Sequence, residues 1–264
     1  MPRSRPTHAP RTTDENGPAL VAVAHGSRDP RALVTVTALL DRVRELRPGL
    51  DVRLGHIELN EPLLSDTLAG LAHRPAVLVP LLLSRGHHVK HDIPQAAARL
   101  AGVDIRIARP LGPHPYLVEA LLSRLAEAGW SAEDGTSRSA GVVLASAGSR
   151  DRESAEDTRR MAELLGERLG GVPVVAAYAS ALAPTVPAAI RALTARGRHR
   201  IAVASYFTAP GLFSTRSAAA APWIAAEPLG THPAVARLLL HRYDEARALP
   251  GTTRTVRRLE LSAA

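Results

Sequence analysis

The chain of 264 residues contains no cysteine and few aromatic side chains: two Trp, four Tyr and two Phe. The missing cysteines exclude disulfides, thiolate metal sites, iron–sulfur clusters and cysteine nucleophiles together, so any metal must be held by His, Asp or Glu. With hydrophobic residues at 45% and aromatics at 3%, the core must be aliphatic, built from Ala, Val and Leu. Long apolar runs are also missing. The leader MPRSRPTHAPRTTDENG holds no signal-peptide core, and no later stretch approaches the ~20 apolar residues of a membrane span. The expectation is a cytoplasmic enzyme with no membrane association, preceded by a disordered leader over residues 1–17.

The formal net charge is +8, from 33 basic and 25 acidic residues, which admits a polyanionic partner. Nucleic acid is not expected, because single-strand binders stack bases on aromatic side chains and the aromatics here are scattered. Much of the excess charge lies in the tails, for example at Arg254, Arg257 and Arg258.

Between these tails, apolar runs of strand length at 18–24, 51–57, 76–83 and 103–108 alternate with stretches of helical spacing at 30–46, 62–72, 94–100 and 115–128. Asp29-Pro30 offers an N-cap followed by proline at the first helical position, and Pro94 and Pro115 suit the same place. Such alternation predicts a parallel sheet covered on both faces. Residues 131–140, polar and rich in Gly and Ser, read as a linker.

After the linker the pattern starts again. VAVAHGSRDP at 21–30 returns as VLASAGSRDR at 143–152, and RPLGPHPYLVEALLSRL from Arg109 returns as EPLGTHPAVARLLLHRY from Glu227. PLLLSRG ending at Gly86 lies over SYFTAPG ending at Gly211, and Pro62 over Pro184. The reading is an α/β protein of two pseudo-symmetric halves, 18–130 and a degenerate 141–247, facing across a cleft, with a tail over 248–264.

Ligands of open parallel sheets bind at the carboxyl ends of strands, where His25, Glu58 and the cluster from Gly86 to Asp92 fall. Imidazole and carboxylate suit a borderline divalent ion such as cobalt, iron or nickel, and an incomplete coordination sphere lets the ion pass on. The duplication acts as an internal control, since residues kept for the fold should appear twice and residues kept for one site only once. The Gly-Ser-Arg-Asp turn appears twice, as do His114 and His232, which are therefore expected at helix starts. His25, Glu58 and His88 fall opposite Ala147, Ser180 and Phe213, so every candidate ligand is lost in the second copy.

The AHGSRDP turn, the Gly-x-His-Val-x-x-Asp-Ile-Pro pattern from Gly86 to Pro94 and the Pro-Leu-Gly-x-His-Pro segment resemble the class II chelatases of the sirohydrochlorin cobaltochelatase and ferrochelatase type, over residues 18–245. The resemblance implies insertion of Co²⁺ or Fe²⁺ into sirohydrochlorin, an octacarboxylate tetrapyrrole of siroheme and cobalamin biosynthesis, without an organic cofactor; Ni²⁺ is a further candidate ion. It places His25 and His88 on the family's metal-binding histidines and Glu58 on its acidic partner, with His87 and His91 at variable positions. It also implies a monomer acting as a pseudo-dimer. Arg28, Lys90 and Arg216 are the candidates to meet the ring's carboxylates. Two other readings stay open: a non-catalytic metal or tetrapyrrole carrier, and a histidine-dependent phosphotransferase, although the Arg expected before such a His is Ala24.

Overall fold

A computed structural model describes residues 17–100 and 102–249; the expected leader and tail lie almost wholly outside these residues. The first strand, β1 (Ala19–Ala24), is buried along its whole length. It pairs in parallel with β2 (Val52–His56) on one side and β3 (Ala76–Pro80) on the other, and β4 (Ile105–Ile107) lies beyond β3. The second sheet repeats this order with β5 (Ala140–Ser146) between β6 (Val174–Tyr178) and β7 (Arg200–Ser205), and β8 (Ile224–Ala225) beyond. The two-half α/β architecture expected from the repeat is present.

Strand alternation divides each sheet between two apolar layers. Leu20, Ala22 and Ala24 face a large central core, while Ala19, Val21 and Val23 face a smaller outer one. In the second sheet Val142 and Leu144 join the same central core, and Val143 and Ala145 face a third cluster. The helices fill the layers accordingly. α2 (Leu64–Ala69) and α3 (Ile93–Ala98) lie outside the first sheet, and α7 (Val186–Thr194) and α8 (Leu212–Ala219) outside the second. α1 (Pro30–Leu46), α4 (Pro115–Glu127), α6 (Arg152–Arg168) and α9 (Pro233–Ala248) share the middle.

The middle layer is where the structure departs from two halves that merely face each other. The last helix of each half crosses over: α4 packs on α6 and β7, and α9 packs on α1, β3 and β4. Arg47 holds Asp244 of α9 through paired bonds of 2.6 and 2.7 Å, Arg242 donates to the Leu111 carbonyl, and the buried Tyr206 hydroxyl donates to Leu83 O at 2.9 Å. The halves of the sequence are thus not separate bodies, because the central core is continuous through both.

Local signals fared unevenly. Asp29 caps α1 by accepting from Arg31 N, and Asp151 caps α6 in the same way. The helix expected over 94–100 is preceded by a wide π turn, His88–Asp92, whose Ile93 N–H reaches His88 O. Pro94 falls in the first turn of α3, as expected of a residue with no N–H to give, and the π turn leads directly into it. The expected linker contains α5 (Ala132–Thr136), fixed by a capping box in which the buried Asp134 accepts from Ser131 N and Oγ and pairs with Arg200. Reading residues 131–140 by composition alone overlooked that Ser-x-x-Asp spacing.

His114 and His232 start α4 and α9, each accepting a backbone N–H at Nδ1. The cap requires the neutral ring. Burial, then the charges of Arg242 and His241, holds His114 down to about 4, and burial lowers His232 in the same direction. A histidine depressed below its unfolded value adds stability above about pH 6.5 and loses it as pH falls toward the folded value. His114→Asn, which caps without titrating, is expected to remove about 1 kcal/mol of the stability lost between pH 7 and pH 5, discounted for the ring's partial exposure. Urea unfolding at both pH values checks this; an unchanged difference would show that the cap does not titrate.

Candidate metal centre

The order of the first sheet reverses at β1, so the crevice at the carboxyl ends of β1 and β3 is its switch point. His25 follows β1 directly. Gly26 turns the chain at φ 102°, and a Cβ there would lie 1.8 Å from the Glu58 carbonyl oxygen. That close approach joins the two loops: Glu58 N–H donates to His25 O at 3.1 Å, and Ser27 N–H to Asn60 Oδ1 at 2.7 Å. His25 Nε2 consequently lies 3.5 Å from Glu58 Oε1.

His88 comes from the π turn after β3. Its ring meets that of His25 edge-on, with centroids 4.7 Å apart. His88 Nδ1 lies 2.6 Å from Asp92 Oδ2. The ionised carboxylate only accepts, so the hydrogen bond assigns the proton to Nδ1 and leaves the Nε2 lone pair free, the usual orienting arrangement for a metal-binding imidazole. His25, Glu58 and His88 are therefore brought together as expected. Asn60 is the supporting residue that sequence reasoning missed; Asp92 stood in the candidate cluster without a role, which its i, i+4 spacing from His88 could have signalled. Among the described residues, no cluster of three or more His, Asp or Glu side chains is arranged to hold one ion. An ion between the two imidazoles would have water or a ligand completing its shell.

The site opens into a cleft of about 990 Å³ bounded by both halves, with Arg28 and His88 on one side and Ala147, Phe207 and Phe213 on the other. Its rim carries apolar side chains open to solvent, Leu33, Leu59, Leu212 and Phe213. Arg28 is exposed in this cleft and forms no ion pair among the described residues. Arg216, on α8, is exposed but does not line it. Lys90 corrects the expectation placed on it: its ammonium is engaged by Asp151, at 2.6 Å, and by Glu153. These acidic partners hold its charge on the second half, so it is not free for a substrate carboxylate.

Lys90 belongs to a larger attachment. Arg85 N–H donates to Asp157 Oδ2 at 2.8 Å, its guanidinium binds Asp157 and Glu153, and Ser84 Oγ lies 2.8 Å from Ser154 Oγ. The segment carrying His88 is thus anchored on α6 of the second half. Asp157 is 3% exposed, so Asp157→Ala strands donors at a nearly dry position. It should destabilise the fold by about 2 to 3 kcal/mol, less than a fully buried pair because Arg85 is part-exposed. Denaturant unfolding checks it, and a loss under about 0.5 kcal/mol would mean the anchor is only a surface pair.

The second half preserves this frame without its ligands. Gly148 turns at φ 89° with a Cβ position 2.1 Å from Ser180 O, and Ser180 N–H donates to Ala147 O at 2.9 Å. Leu59 and Ala181 share left-handed backbone at φ 68° and 61°. His25 and Glu58 therefore match Ala147 and Ser180 in space as well as in sequence.

The sequence profile of the CbiX family matches residues 19–128 and 141–246, one copy on each half. The chain belongs to the CbiX family. A sirohydrochlorin ferrochelatase of Bacillus subtilis is 30% identical over 173 residues, covering 63% of this chain and 64% of that relative, just under two thirds of its length. A sirohydrochlorin ferrochelatase of Priestia megaterium is 25% identical over 242 residues, covering 85% of this chain and 88% of the relative. Among solved structures, SirB from Bacillus subtilis with Fe³⁺ superimposes with a TM-score of 0.69 at 25% identity, covering 87% of this chain and 95% of that one.

Proposed function

We propose that this CbiX-family protein is a chelatase that inserts Co²⁺ or Fe²⁺ into sirohydrochlorin. The observation that carries the reading is the pair of facing imidazoles, His25 and His88, with the Glu58 carboxylate beside them at the mouth of an apolar-rimmed cleft. The relatives named above, ferrochelatases by name, support the substrate. Ni²⁺ suits the same donors.

The macrocycle lies in the cleft against Phe213 and the rim leucines, and Arg28 meets one peripheral carboxylate. His25 and His88 hold the hydrated ion on one face of the ring. Pyrrole nitrogens replace water and then imidazole, and the two pyrrole protons leave as the ion enters, so the charge lost by the metal site equals the charge released. Glu58 accepts one of these protons, and an imidazole freed of the ion, or solvent water, takes the other. Holding ion and ring in register removes the entropy cost of their encounter. No organic cofactor takes part, the protein acts as a monomer, and the reaction takes place in the cytoplasm; among the described residues no helix is long and apolar enough to cross a membrane. A phosphotransferase is disfavoured by the buried Ala24 before His25.

Incubating sirohydrochlorin with Co²⁺ or Fe²⁺, with and without a small amount of protein, tests the proposal through the absorbance change of metallation. The expected result is many rings metallated per protein, faster than in the protein-free control. Binding that stops at one ring per chain with no faster insertion would make the protein a carrier.

A further inference from the structure

Two further imidazoles stand on the His88 segment and are not used by the chemistry above. The rings of His87 and His91 lie 4.7 Å apart, His87 lies 6.2 Å from His88, and His88 lies 4.7 Å from His25. Four rings thus run from the exposed surface at His91 to the cleft. The His87 side chain is 71% exposed, and its nearest charged partner is Asp92 Oδ1 at 3.9 Å. His91 is exposed and makes no hydrogen bond or ion pair among the described residues. Among the described residues neither ring makes a hydrogen bond, and the turn has no side-chain cap at His87. The corresponding second-half segment, GLFSTRSAA at 211–219, has no histidine.

We propose that His87 and His91 form a loading site for the divalent metal ion, which passes from there by way of His88 to the His25–His88 pair. The inference rests on reading that pair as the insertion site. With metal–nitrogen bonds of about 2.1 Å and a ring centre roughly 1.1 Å behind the nitrogen, two imidazoles about 90–110° apart on one ion have centroids about 4.5 to 5.2 Å apart. Both 4.7 Å pairs have that spacing. Imidazoles on opposite sides of an ion reach about 6.4 Å, so the 6.2 Å step suits a bridge during hand-over and not a resting site. Asp92 spans the same step, bonded to His88 and facing His87. Two neutral imidazoles and water hold Co²⁺, Fe²⁺ or Ni²⁺ weakly enough to release it. At each stage the next ring binds before the last one lets go, so no bare ion is formed.

The test uses Co²⁺ alone, then Co²⁺ with the ring. In calorimetric titration without tetrapyrrole, the full chain should bind two equivalents, H87A/H91A should lose the weaker one, and H25A/H88A should keep it. In insertion assays H87A/H91A should need about tenfold more Co²⁺ for half its maximal rate, with the rate at saturating Co²⁺ unchanged. Retention of both equivalents by H87A/H91A, or an unchanged half-saturating Co²⁺ concentration, overturns the proposal. Full insertion activity in H25A/H88A, with the weaker equivalent still lost in H87A/H91A, would instead overturn the insertion-site reading and leave a metal site at His87 and His91.

Discussion

His25→Ala and His88→Ala should each lower the insertion rate by at least about a hundredfold, since each removes half of the protein's hold on the ion. Both rings are partly open to solvent, with side-chain exposures of 44% and 35%, so neither change opens a cavity and the fold should survive. Glu58→Gln keeps the backbone bond to His25 and removes only the proton acceptor, which general-base catalysis values at about 10²-fold or more. The mirrored changes Ala147→Ser and Ser180→Ala should leave the rate within about threefold, because those positions already lack metal donors. Steady-state insertion on all five proteins, with circular dichroism confirming that each is folded, decides the matter. Comparable losses from both halves would mean that the site is shared across the cleft.

Gly26→Ala should cost more than the ligand changes do, because it attacks the fold. A methyl group 1.8 Å from a backbone oxygen cannot be relieved by rotating a side chain, and φ of 102° is strained for any residue with a Cβ. The loop carrying Glu58 must move away, breaking the bond to His25 O as well. We expect a loss of at least about 3 kcal/mol and little soluble protein. Gly148→Ala, with a Cβ position 2.1 Å from Ser180 O, should be comparably damaging to folding although it touches no ligand. Matching the two variants by denaturant unfolding separates the frame, which is needed twice, from the chemistry, which is needed once. A Gly26→Ala protein as stable as the parent would contradict the packing described for this turn.

Legibility followed the range of the interactions. The central strands could be read directly because burial on both faces makes them continuous apolar runs, and α1 because Asp29 and Pro30 announce its start. The candidate ligands were legible through the duplication: a repeat in which Gly26 and Gly148 persist while His25 becomes Ala147 separates fold from site within one chain. The exchange of α4 and α9 was not legible, because an amphipathic pattern says that a helix is buried and not against which sheet. The same limit hid the anchor of Arg85 on Asp157 and the engagement of Lys90 by Asp151, which join residues far apart in sequence. The His88 turn was not legible for a local reason, since Pro94 marks the first turn of α3 and gives no sign of the π turn before it.

The central claim is that a duplicated fold carries one insertion site, between His25 and His88. Anomalous diffraction at the cobalt edge from crystals of the full chain soaked in Co²⁺ tests it most directly. The account predicts a strong peak between the two Nε2 atoms, beside Glu58, and none between Ala147 and Phe213. A principal peak anywhere else, for instance at His114 and His241, or density of equal strength in both halves, would contradict it.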